Sequence, residues 1–96
     1  VPFFGFDRVM ACSRADLDRW LAELTGEDHR IATTGRTTLR FDWGELAIET
    51  EPLEPRRVAL LKVQQLRVRF VPTAGAEAPA RDWVTSFDRH TQRGGG

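Results

Sequence analysis

Cys12, His29 and His90 are the side chains best suited to nucleophilic or acid–base chemistry in this chain. Cys12 stands just before Ser13, which has the character of a helix N-cap, and a helix N-terminus lowers a thiol pKa. A catalytic-cysteine reading would place a thiolate there, with His29 or His90 as its base. The plainer reading is a small buried hydrophobe closing an apolar strand, as lone cysteines in such strands usually are. His90 follows Trp83 by seven residues, near an apolar stripe, and could act as a general base. No partner residue is defined for it, and an imidazole at the negative end of a helix dipole is the simpler account. His29 reads as a loop residue. These three residues have no metal-ligand spacing, so neither metal nor cofactor is expected.

A second candidate site is made of charge. From Asp42 to Glu54 there are five acids (Asp42, Glu45, Glu49, Glu51, Glu54) and no base. From Arg56 to Phe70 there are five bases (Arg56, Arg57, Lys62, Arg67, Arg69) and no acid. Arg67 and Arg69 alternate with Leu66, Val68 and Phe70, so both guanidinium groups leave one face of a strand. Such a row could bind anions or nucleic acid. The neighbouring acidic block favours a solvated face of cross-strand pairs, each contributing roughly 0.2–1 kcal/mol. Nucleic-acid platforms also present aromatic residues for stacking, and here the aromatics take the inward parity. A nucleic-acid partner is therefore not expected.

The elements that must position these residues follow from patterning. Phe3 to Cys12 reads as a strand with Gly5 as a bulge or close-contact point, its inward parity open between Phe4, Phe6, Met10 and Phe3, Val9, Ala11. Ser13 and Asp16 form a capping-box signal for a helix over 14–25. Leu17, Trp20, Leu21 and Leu24 line one side of that helix, and Gly26 ends it. A weak strand is expected over 29–34. Leu39, Phe41 and Trp43, then Leu46 and Ile48, alternate with polar residues and predict a hairpin of 37–43 with 45–51. A loop at Trp43-Gly44 pairs Phe41 with Leu46. One at Gly44-Glu45 pairs Trp43 with Leu46, and both keep apolar facing apolar.

Pro52 and Pro55 predict the next turn, followed by a long strand over 58–71. Leu61 and Val63 occupy the opposite parity to Leu66, Val68 and Phe70, and a bulge at Gln64-Gln65 would restore one apolar face. Pro79, Ala80, Trp83, Val84, Phe87 and Thr91 predict a second helix over 79–92, ended by Gly94.

The expected fold is α+β: an antiparallel sheet of four or five strands with two helices packed on one face, in the order β-α-β-β-β-β-α. That order is similar to the TATA-binding-protein-like and helix-grip groups, an analogy that carries no function. Residues 1–93 are expected to form a single domain, with 94–96 as a flexible Gly tail. A chain of 96 residues leaves room for no second domain.

Fourteen bases against 14 acids give zero net charge, which argues against non-specific attraction of the whole protein to nucleic acid or membrane. No apolar run approaches the ~20 residues of a membrane span, and no apolar leader is apparent. With one cysteine and no disulfide, a cytoplasmic protein without a membrane partner is expected.

The ending Phe87-Asp88-Arg89-His90-Thr91-Gln92-Arg93-Gly94-Gly95-Gly96, together with Pro52-Leu53-Glu54-Pro55-Arg56-Arg57 and the Leu66–Phe70 strand, resembles a family of small uncharacterised proteobacterial proteins. That resemblance implies no activity and no residue roles. The Arg-Gly-Gly ending also resembles ubiquitin-like modifiers and sulfur carriers, but here the glycines follow a helix rather than a final strand.

Without paired catalytic carboxylates or a phosphate loop, the expected function is a non-enzymatic protein-interaction module, self-associating as a homodimer. The alternative is a ligand-binding protein or enzyme with a pocket between sheet and helices, lined by Trp43, Trp83, Phe87 and His90. A third reading binds nucleic acid or anions through Arg56, Arg57, Lys62, Arg67 and Arg69.

Overall fold

Ser13 starts the first helix by the expected reciprocal cap. Its hydroxyl accepts from the Asp16 amide at 3.1 Å, and the Asp16 carboxylate accepts from the Ser13 amide at 3.0 Å. The structure, a computed structural model, describes residues 6–93. Helix α1 runs Arg14–Thr25 and stops at left-handed Gly26. Before it lies strand β1, Phe6–Met10. Met10 packs on the core while Val9 is exposed, which settles the strand's parity on the even residues. Phe3, Phe4, the bulge expected at Gly5 and the Gly94–Gly96 tail lie outside the described residues.

The segment expected as a weak strand is a helical turn, α2, Ile31–Thr34. A tertiary acceptor causes the difference. The Asp18 carboxylate of α1 accepts from the amides of Ile31 (2.6 Å) and Ala32 (2.7 Å), satisfying donors that a strand would need to pair elsewhere. Left-handed Gly35 then releases the chain into β2, Arg36–Phe41. The Arg14 guanidinium fills the space where a Cβ at Gly35 would sit. Arg14 Nε also donates to Thr50 Oγ1 at 2.8 Å, and Thr50 N donates to the Gly35 carbonyl at 2.9 Å, fastening the helix start to the sheet.

Strands β3, Gly44–Val58, and β4, Leu61–Gly75, complete one antiparallel four-stranded sheet in the order β1-β4-β3-β2. Helix α3, Glu77–Arg93, closes the fold and begins two residues before the expected start at Pro79. A first-turn proline has no helical bond to forfeit there. The architecture is thus the expected α+β sandwich with four strands, and α2 is an added turn.

Leu17, Trp20 and Leu21 of α1 and Ala80, Val84 and Phe87 of α3 are buried with Leu39, Leu46, Ile48, Leu66, Val68 and Phe70 of the sheet. Both helices therefore cover the same face.

Three details of the hairpins differ from the sequence reading. The β2–β3 loop is Asp42-Trp43, with Leu39 opposite Leu46 and Phe41 opposite Gly44. Gly44 and Gly75 are paired so closely that a Cβ on Gly44 would strike the Ala74 carbonyl. Second, Pro52 and Pro55 do not turn the chain. Strand β2 begins opposite Glu49 and Thr50 still donates to the Gly35 carbonyl, but beyond Thr50 no strand pairs with β3 on its outer side and a missing amide costs little. The chain turns at Ala59-Leu60 instead, with Ala59 left-handed (φ 56°).

Third, the bulge sits at the expected level on the opposite strand. Between Leu53↔Gln65 and Arg56↔Val63 the extra residue belongs to β3, at Glu54-Pro55. Strand β4 keeps its phase there. Leu61 and Val63 consequently face away from the side that Leu66, Val68 and Phe70 bury.

This division of labour is testable by urea denaturation. Phe70→Ala, which empties a fully buried ring site, should cost about 3–5 kcal/mol. Leu60→Ala, at the fully exposed turn, should stay within about 0.5 kcal/mol of the unmodified chain.

Candidate functional site

The β1-β4-β3-β2 order lines up one row of charges across the face opposite the helices. Asp7 pairs in register with Arg69, Arg69 with Glu49, and Glu49 with Arg36, so the signs alternate from edge to edge. Arg69 Nε lies 3.3 Å from Asp7 Oδ1. In the adjacent row Arg67 lies opposite Glu51, with their charged atoms 3.8 Å apart. Arg67 and Arg69 are therefore held among acids, as the charge blocks led us to expect.

Arg56, Arg57 and Lys62 are placed elsewhere. Beyond Pro52↔Leu66, β3 and β4 leave the sheet and pair only with each other, forming a two-stranded arm over 53–65. At about 3.3 Å per residue the arm reaches roughly 20 Å. Arg57 stands directly opposite Lys62, and Arg56 opposite Val63. Like charges in direct opposition destabilise a strand pair. No acid lies between Pro55 and Ala76 to relieve them.

The arm's other chemistry is aliphatic. Val58 opposes Leu61 next to the Ala59-Leu60 turn. Val58 and Leu61 are 50% and 68% exposed, and Leu60 is fully exposed. Alternation places Leu53, Val58, Leu61 and Val63 on the sheet's open side and the Arg57–Lys62 pair on the other. The end of the arm thus carries an aliphatic tip with cations one row behind it. Sequence reading found the cations but not the tip, because it assigned Leu61 and Val63 to the core.

The residues considered for a pocket between sheet and helices pack on one another. Trp43 stacks on Phe41 with ring centroids 4.7 Å apart, Phe41 meets Trp83 at 5.8 Å, and Trp83 stacks on Phe87 at 5.8 Å. Phe87 is fully buried. His90 is aimed elsewhere, its Nε2 lying 2.6 Å from Glu23 Oε1 and bridging α3 to α1. His29 Nε2 lies 2.8 Å from Thr25 Oγ1. The two histidines thus engage different partners and do not assemble with Cys12. Among the described residues no group of three or more His, Cys, Asp or Glu is arranged to hold a metal ion.

Cys12 is buried at the N-terminal end of α1, but its surroundings oppose a thiolate. Burial, and then the nearby Asp16 carboxylate, push the thiol pKa up to about 11. Desolvation and a like charge outweigh the helix dipole at this position.

One polar contact has only a faint sequence signal. Arg8 takes the core-facing parity of β1, where an apolar residue would be usual. Its guanidinium pairs with Asp88 of α3 and lies 5.3 Å from the centroid of the Phe70 ring. Arg8 Nε is buried without a hydrogen-bond partner, and desolvation lowers the pKa of the group. The contact fastens the edge strand to the last helix.

Comparison of the chain with family models, curated proteins and solved structures gives no match. No described helix is long and apolar enough to cross a membrane.

The Cys12 environment yields a pH dependence. The folded state holds the thiol proton more tightly than the unfolded chain, so stability should fall as pH rises from about 9 to about 11. Alkylation of the folded protein should be slow at pH 8 and accelerate with a midpoint near 11. Rapid alkylation at pH 7 would contradict this environment.

Proposed function

We propose that this chain is a non-enzymatic interaction module that meets its partner through the arm formed by β3 and β4. One observation carries the reading: fully exposed Leu60 at the end of a ribbon whose only charges beyond Glu54 are Arg56, Arg57 and Lys62. A folded domain of this size has no stability reason to extend such a ribbon. Residues 54–62 are all exposed and none belongs to the buried core. Exposed aliphatic residues on unpaired strands also carry an aggregation hazard, which flanking cations and prolines restrain.

Electrostatics narrows the partner. Two arms brought face to face would bring the same cations together. Self-association of this chain through the arm is therefore disfavoured by the charges that a partner of opposite sign would neutralise. The geometry supports an anionic partner with an apolar recess or interior that can receive the tip. Chemistry at the other candidate residues has less support: the Cys12 thiol is held protonated, and His90 is occupied by Glu23.

A photoreactive residue placed at position 60 of the full chain tests this in the cells that produce it. It should give a covalent adduct, and the same probe at exposed Ala15 of α1 should not. Adding Arg57→Glu and Lys62→Glu should reduce the adduct about tenfold or more. No adduct at position 60, or one unaffected by the two charge reversals, would contradict an arm-mediated contact.

A further inference from the structure

Resting on that reading, we infer that the arm's partner is an anionic lipid surface, with the tip entering the headgroup layer and the cations at the level of the phosphates. The argument is the order of chemistry along the arm. Leu60 is outermost, Val58 and Leu61 form the next row, and Arg57 and Lys62 form the row behind. Two rows of about 3.3 Å each place the cations roughly 7 Å behind the turn. That spacing matches the depth of about 5–10 Å to which apolar faces sink at a bilayer interface. A leaflet met from outside presents phosphates first and acyl chains next, so both layers of the arm find their complement together. Arginine and lysine can also lay their aliphatic stems along the apolar layer and keep their charge in the phosphate layer.

The same features fit nucleic acid less well. No aromatic lies between Trp43 and Phe70 to stack on a base, and the three exposed aliphatic side chains at the tip offer no hydrogen-bonding group to a base edge. The absence of a spanning helix among the described residues and the zero net charge concern a buried segment and the whole molecule. Neither bears on a surface contact made by the end of an arm that beyond Glu54 carries three cations and no acid.

Co-sedimentation of the full chain with vesicles tests the inference. Vesicles of equal parts phosphatidylcholine and phosphatidylglycerol should retain the protein at low salt, and vesicles of phosphatidylcholine alone should not. Each cation removed, by Arg57→Gln or Lys62→Gln, should weaken binding about fivefold. Leu60→Ser should weaken it by about tenfold at unchanged charge. All three positions lie outside the core, so thermal unfolding should confirm that the variants fold. Failure to bind the anionic vesicles, binding indifferent to all three substitutions, or tighter retention by a mixed-sequence DNA duplex would overturn the lipid assignment. An arm-dependent protein adduct at position 60 alongside vesicle failure would leave the interaction-module reading standing and remove only the lipid. Absence of both would remove the two together.

Discussion

The antiparallel register of β3 with β4 is the constraint on which the other contacts depend. Setting Glu49 opposite Arg69 also sets Ile48 opposite Phe70, because side chains alternate with a period of two. One row meets water with its charges paired, and the next meets α1 and α3 with its apolar groups interdigitated. A slip of one residue would turn arginines toward the helices and Val68 and Phe70 toward water. Exposed ion pairs contribute only about 0–1 kcal/mol each, so they do not hold the fold by attraction. They specify register through the much larger cost of burying an unpaired charge in any slipped alternative.

The same register produces the arm once the sheet's outer strands run out. β2 contributes nothing beyond Arg36, opposite Glu49, and β1 nothing beyond Met10, opposite Leu66. From there β3 and β4 have only each other. Pro52 and Pro55 are tolerated because their missing amides have no neighbour to serve. The extra residue at Glu54-Pro55 shifts β3 relative to β4, placing Arg57 beside Lys62 and Val58 beside Leu61. Without that insertion the pairing carried on from Leu53↔Gln65 would set Arg56 opposite Lys62 and Arg57 opposite Leu61. The bulge therefore sorts the arm's end into a cationic row and an aliphatic row.

Features governed by neighbouring residues were legible in the sequence. The capping box of Ser13 with Asp16 and the stop at Gly26 are local, and they located α1. The acidic and basic blocks announced that Arg67 would face Glu51, although Asp7 as the partner of Arg69 came from the far end of the chain. The hairpin register was not legible, because apolar pairing favours loops at Trp43-Gly44 or Gly44-Glu45 and the register adopted sets Phe41 opposite Gly44 and Ile48 opposite Thr37. Nor was α2, whose amides are satisfied by Asp18 of another element. The turn at Ala59-Leu60 carries no Gly, Pro, Asn or Asp, whereas the prolines upstream resemble a turn and are strand residues on a free edge. That misplacement hid the arm, since it left Leu61 and Val63 to be explained as core. The Arg8–Asp88 contact spans 80 residues and had only parity to betray it.

Cross-strand proton contacts in the arm, measured by NMR on the free protein, test the layered arm most directly. The register of β3 with β4 predicts contacts of Arg57 with Lys62 and of Val58 with Leu61, alongside Glu49 with Arg69 in the sheet. Contacts of Arg56 with Lys62 and of Arg57 with Leu61 would mean that no residue is inserted at Glu54-Pro55. Arg57 would then share the row next to the turn with Leu61 and the aliphatic Val58–Leu61 row would be lost, contradicting the layering on which the functional reading rests.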